Sequence, residues 1–386
     1  LQNGAASAVN NTITLNTNAA IAANIFYGGL AFVNGGYTDK ATATGNTLSL
    51  EKGTLSGSGV VLTAGSATGY TAEATGNTLS ISGGTATGLY ALTGGEAISA
   101  SGGSVSAANN SIKVTGGTLA VAGDICGGDA ESSQTSSAAI TVDASGNAVT
   151  LNDADVSYAG TIYGGKAKGN TLAAVTASTN TVTIQAGTFK GSSIYGGYGD
   201  SGTTDKSDGN TVTITGGTFA SGTAITGGYV SSFTAGASSS RHNVVSITGG
   251  TVAGSMNRVY GGKADAGNSN VTDNTVELDS ANVSYNTVYG GYALFSKNVE
   301  ATVSNNAVTM KAGTVSDSIT GGESWLASSD KATISSNTVT LEGGEANSIV
   351  GSYAQLGGTG NTVAITGNTV NLNGGTCHLG LGWSGS

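Results

Sequence analysis

The sequence has no proline, and only two cysteines, two histidines and two arginines in 386 residues. Charged residues make up 9% of it, where a globular domain carries roughly 25%. Each shortage excludes something. Thirteen basic residues against 23 acidic ones, a net charge of −10, cannot neutralise a phosphate backbone, so no nucleic-acid partner is expected. His242 and His378 are the only imidazoles, which leaves little general acid–base chemistry to draw on. Two cysteines make no disulfide framework. There is no apolar run long enough for a membrane-spanning helix. The chain opens at Leu1 without a signal-peptide pattern, which reads as a processed or excised segment.

Glycine is abundant instead, at 65 residues, but without the G-X-Y period of collagen. A hydrophobic fraction of 38% argues against disorder. These residues fall into a repeat. An Asn followed by alternating residues recurs near 11, 46, 77, 110, 147, 180, 210, 243, 274, 306, 337 and 368, at spacings of 30–37 residues. The second and fourth positions after the Asn are apolar in every unit, from Ile13 and Leu15 to Val370 and Leu372. The positions between them are Ser or Thr in 18 of 24 cases, so one face is buried and the other solvated. That period of two predicts a strand. A second apolar column (Leu92, Ile125, Ile194, Val259) precedes a Gly-Gly pair, and a weaker third strand lies in each tail, as at Ala301 to Ser304. Gly-Gly pairs mark two of three corners, where glycine accepts a positive φ.

One unit cannot enclose its own apolar face, but stacked units bury a continuous core. The predicted fold is all-β: one parallel β-solenoid (β-helix) domain over residues 1–386, three-sided, of about twelve coils. Right-handed coiling is expected from the handedness of parallel crossovers. At ~4.8 Å per coil the rod would be on the order of 55 Å long. The lack of proline fits, since an interior strand uses every backbone N–H. The Asn column fits as a stack of amides bonded from coil to coil.

The units N-T-V-T-I-x-G-G-T and V-Y-G-G-Y-A, at Asn180 to Gly199 and Asn274 to Ala293, resemble repeats of bacterial autotransporter (type V secretion) passenger domains. That resemblance implies a right-handed β-helix on the bacterial cell surface or outside the cell, acting as a stalk or adhesin. It implies partners among surface proteins or glycans, no cofactor and no enzymatic activity. The chain departs from the family in stopping at Gly382 to Ser386, without the membrane barrel that follows such passengers.

Several residues could carry chemistry. Tyr163, Tyr195, Tyr260 and Tyr289 follow the inward aliphatic and should point outward, with Tyr198, Tyr229 and Tyr292 just past the corner. Such columns offer amphipathic contact area to a partner, or simply stack to stabilise the sheet. A polysaccharide-cleaving site would draw on Arg241, Arg258, Asp265, Asp273, Glu277 and Asp279, but these fall in tails, turns and outward positions that read better as a solvated face. The Thr-x-Thr columns, such as Thr211 and Thr213, suggest ice binding, interrupted by Lys113, Val244 and Glu277. Gly196 to Asp200 imitates a calcium-binding nonapeptide but lacks a spacer and occurs once. Neither histidine has a second ligand at metal spacing, so no metal is expected. Cys126 and Cys377 lie eight units apart, too far for a bridge, and read as small apolar fillers. Ten residues before the first unit and 19 in the last sum to nearly one repeat. A filament subunit stacking head to tail is therefore the alternative expectation, with Leu1, Cys377 and Trp383 at the contact.

Overall fold

The computed structural model describes residues 4–33, 39–133, 139–170, 172–200, 203–232, 236–294, 299–327, 330–380 and 383–385. Regular structure in these segments is entirely strand, and neighbouring strands pair in parallel from coil to coil. The coil from Asn180 serves as a pattern. Its first strand is Thr181–Ile184, followed by the short Thr188–Phe189, a second strand Ser193–Asp200 and a third, Thr204–Lys206. The next coil repeats these elements in register, Thr181 opposite Thr211, Ile194 opposite Ile225 and Asp205 opposite Ser238. The third strands form a twelve-stranded sheet from Ala5–Val9 to Thr362–Thr366, which gives eleven turns between its first and last members. The predicted β-solenoid is thus the observed fold.

The interior is divided into two compartments. The main one holds the aliphatics of the first strands and the column before the second Gly-Gly, such as Val182, Ile184 and Ile194, all buried. Aromatic rings stack along it, Tyr158 on Phe189 and Phe189 on Phe219, with centroids 4.9 and 4.8 Å apart, the spacing of adjacent strands. The smaller compartment lies between the second half of each second strand and the third strands. It is filled by small residues, among them Ala41, Ala74, Ala97 and Ala167, and later Val230, Ala264 and Val303.

The Asn column stands between the two. Each amide oxygen accepts from the backbone N–H and the side-chain NH2 of the preceding Asn, as Asn274 Oδ1 does from Asn243 at 3.0 and 2.9 Å. In most coils the remaining amide hydrogen reaches a carbonyl of the preceding coil, as Asn274 Nδ2 does Ser240 O at 2.9 Å, whereas Asn210 and Asn243 donate to the Ser207 and Ser240 hydroxyls. The ladder runs unbroken from Asn11 to Asn368. It explains the second Gly-Gly pair. A Cβ on Gly262 would lie 2.6 Å from Asn274 Cγ, and one on Gly261 would lie 2.5 Å from the Gly290 carbonyl oxygen. None of these bend glycines has a positive φ, so space and not backbone freedom demands them, which corrects the sequence-based reason. Ala64, Ser352 and, in register with Ser352 in the last coil, Trp383 are the three departures from the pair.

Positive φ occurs at the other corners. The last glycine before the short strand adopts it, as at Gly187, Gly217 and Gly250. The residue immediately preceding each ladder Asn does so too, whether Gly45 and Gly76 or Asn109, Thr179, His242 and Asp273. His242 is therefore a corner residue in a left-handed conformation. Coil length varies most in the connection from second to third strand, which spans two residues between Thr68 and Thr71 and seven between Phe32 and Lys40, and less between the ladder Asn and the bend, from 15 residues (Asn337 to Ser352) to 19 (Asn46 to Gly65).

Two tests follow from this packing. Asn274→Ala alone strands the Asn243 donors and Gly262→Ala alone drives a methyl into the amide, but in the double variant the methyl occupies the vacated space. Urea denaturation should show the pair less destabilised than the sum of the singles by ~1–3 kcal/mol; simple additivity would refute the steric coupling. The Tyr158 and Tyr285 hydroxyls lie in the main compartment without a hydrogen-bond partner, so Tyr285→Phe should stabilise the chain by about 1 kcal/mol.

Candidate binding groove

The second strand bends at its glycine pair, and the direction of the bend creates the site. In a straight strand, residues three apart face opposite sides. Here the residues flanking the pair both face outward and meet: Tyr195 and Tyr198 have ring centroids 5.2 Å apart, Tyr289 and Tyr292 5.1 Å. The bend is concave towards solvent. Repeated in register from coil to coil, it forms a groove along the solenoid axis, with the residues before the pair as its floor and those after it as one wall. Floor residues are covered although they point out of the solenoid: Thr63 is 1% exposed, Cys126 3%, Thr226 3% and Tyr260 4%.

All seven tyrosines expected to meet a partner line this groove. They form two clusters. In the first, Tyr163 and Tyr195 stack at 5.4 Å, Tyr198 lies across both, and Tyr229 adjoins Tyr195 and Tyr198. In the second, Tyr260 and Tyr289 stack at 5.0 Å with Tyr292 across both. The rings therefore both stack on one another and border solvent. Tyr260 and Tyr289 are buried, against the expectation that their column is exposed, because the concave bend closes over it.

Charged groups that the sequence did not single out share the wall. Glu96, Asp129 and Lys166 occupy successive coils in the same column as Tyr198. Ser66 donates to Glu96 at 2.8 Å, and Lys166 Nζ lies 3.1 Å from Asp129. Burial raises the Glu96 and Asp129 carboxyls above the usual range, against the pull of Ser66 and Lys166 respectively. Burial opposes the Lys166 ammonium, but Asp129 overrides it and holds the amine above its ordinary value. Cys126 beneath them is pushed well up by burial and the surrounding carboxylates, which leaves an unreactive thiol. Further along, Asp265 accepts from Lys263 at 2.7 Å and from the Tyr229 hydroxyl at 2.9 Å, while Lys263 sits 4.6 Å from the Tyr229 ring centre. Glu323 follows Tyr292 in the wall column and accepts from Trp325 Nε1 at 3.0 Å. Burial lifts its carboxyl to about 7, although Trp325 and Arg258 both favour the anion. Burial also pushes Tyr198 and Tyr260 up to about 12. These wall residues could have been found by aligning the units on Gly-Gly and reading the next position.

The remaining candidates are dispersed. Of the residues considered for polysaccharide cleavage, Arg258 and Asp265 reach the groove, whereas Arg241 pairs with Asp208 at 3.0 Å near a corner. Asp273 is a corner residue 3.7 Å from His242, Glu277 pairs with Lys311 on the first-strand face, and Asp279 is exposed beyond it. Thr211 and Thr213 stand half-buried on that same face. Gly196 to Asp200 is strand, not a cation loop. His378 lies 2.7 Å from Glu345. Among the described residues there is no group of three His, Cys, Asp or Glu side chains placed to hold a metal, and no helix long and apolar enough to cross a membrane. Both cysteines are free, Cys126 in the groove floor and Cys377 against the main core below Ala346. Leu1 lies outside the described residues. Trp383 pairs through its backbone with Ser352, and its side chain lies outside them.

No family model, curated protein or solved structure matches the chain.

The Glu323 carboxyl gives a pH test. The folded state keeps a proton that the unfolded chain, at its ordinary value of 4.5, has released. The resulting stability is full below pH 4.5 and is lost as pH rises through about 7. Glu323→Gln stays neutral throughout and should flatten this part of the urea-midpoint-versus-pH curve; an unchanged slope would assign the dependence elsewhere.

Proposed function

We propose that the chain is a non-enzymatic extracellular rod, a bacterial surface stalk or adhesin of the autotransporter-passenger kind, that holds its partner in the tyrosine groove. The observation that carries this reading is the convergence of seven tyrosines from two wall and floor columns into one axial groove. Aromatic residues give large contact area at low conformational cost. The ring-on-ring stacking and the pairing of Lys166 and Lys263 hold that surface in one shape before any partner arrives. The rod itself needs no catalytic group, since its rigidity comes from the ladder and the coil-to-coil strands. The resemblance of the repeat units to autotransporter passengers supports the extracellular placement.

Binding of the purified chain to cells or extracellular matrix tests this. Tyr198→Ala and Tyr292→Ala should each weaken attachment tenfold or more, with circular dichroism unchanged. Tyr90→Ala, which removes an exposed ring at a different corner, should leave attachment as it was. Equal attachment by all three variants would sink the groove as the binding surface.

A further inference from the structure

Tyr198 and Tyr292 are oriented unlike the rings beneath them. Tyr198 is 5.5 Å from Tyr163 and 5.2 Å from Tyr195, at interplanar angles of 77° and 69°. Tyr292 is 5.4 Å from Tyr260 and 5.1 Å from Tyr289, at 63° and 62°. A ring nearly equidistant from two stacked rings and steeply inclined to both lies beside the pair and is not part of the stack, and both Tyr198 and Tyr292 remain half-buried and so reach solvent. The groove thus carries two such inclined rings three coils apart, roughly 14 Å along the axis, with Tyr229 between them. Hydrogen-bonding groups stand in the same wall, Asp265 beside Tyr229 and Glu323 in the coil after Tyr292.

We propose that the groove takes a linear, uncharged glycan lying along the solenoid axis, with sugar rings seated on Tyr198, Tyr229 and Tyr292. This rests on the reading of the groove as the partner site and names its occupant. A pyranose combines an apolar C–H face, which suits aromatic rings, with hydroxyls around its rim, which suit the carboxylates and phenols of the wall. Anionic polymers fit poorly. Lys166 and Lys263 are already paired with Asp129 and Asp265, and Glu96 adds a further carboxyl to the same wall. An added peptide strand also fits poorly. The lining strands run across the groove, and their backbone groups are used in the ladder from coil to coil, so the groove offers no strand edge to extend. The raised Glu323 carboxyl is consistent with a neutral occupant, because near neutrality it is a donor as well as an acceptor.

Calorimetric titration of the intact chain tests this with three neutral hexasaccharides (cello-, laminari- and chitohexaose), with heparin and polygalacturonate as anionic probes. At least one neutral chain should bind saturably, tenfold or more tighter than its disaccharide. Tyr292→Ala and Tyr229→Ala should each weaken it at least tenfold, while Tyr292→Phe, which keeps the ring, should retain most of the affinity. Absence of binding by all three neutral chains, preference for heparin, or indifference to Tyr292→Ala would each overturn the proposal. If the oligosaccharides fail while attachment to cells still depends on Tyr292, the glycan assignment falls and the groove reading stands, with a protein as partner.

Discussion

One buried amide stack fixes the rest of the cross-section. Every ladder Asn from Asn46 to Asn337 is held on both sides by its neighbours and, in most coils, by a carbonyl or hydroxyl of the third strand or its corner, as at Ser207 and Ser240. A buried amide left without these partners costs about 1–3 kcal/mol, so the column can hardly be interrupted inside the rod. Because the amides occupy the line where the second strand turns, only glycine fits opposite them, and the strand must bend there. That bend closes the small alanine compartment on its inner side and opens the groove on its outer side. Core, pinch and groove are three consequences of the same interaction.

How much of this could be read beforehand depends on what leaves a mark on residue type. The strands, their inward faces and the coil-to-coil Asn contacts were legible, because period-two alternation and a fixed Asn spacing have one physical solution in a chain without proline. The two Gly-Gly pairs look alike as letters yet serve different ends. Gly187 needs a positive φ, whereas Gly197 sits in ordinary strand and needs the absence of a Cβ. The left-handed residue before each Asn was hidden for the opposite reason: Gly146, Thr179, His242 and Asp273 share a conformation and no chemistry. The tyrosine columns were visible as outward positions. Their meeting was not, since alternation says which side a residue faces and nothing of whether that side is convex or concave. Tyr158 and Tyr285 show the converse, the same residue type packed in the main core.

The groove combines features that usually oppose one another. Aromatic surface invites association in water, yet here each ring is covered on part of its area by another ring, so the exposed remainder is small and shaped. Carboxylates drawn partly out of water are costly, yet Asp129 and Asp265 each hold a lysine against the floor, Asp129 from the neighbouring coil and Asp265 from the same strand. The wall is therefore preorganised along its length, with its composition changing from acidic and polar near Glu96 to aromatic between Tyr163 and Tyr292.

The placement of length variation has a consequence of its own. The widest variation in coil size falls in the connection that follows the second strand, immediately past the half that bears the Tyr198 column: from the bend to the next ladder Asn the chain takes 12 residues (Gly65 to Asn77) to 19 (Gly128 to Asn147), whereas from ladder Asn to bend it takes 15 (Asn337 to Ser352) to 19 (Asn46 to Gly65). Lengthening a loop costs little closure entropy, about 0.6 kcal/mol per doubling, and disturbs no rung. The solenoid can thus diversify along one row of loops beside its groove while every coil stays in phase with the next. On this plan insertion and deletion can reshape the rim of the groove as readily as substitution can.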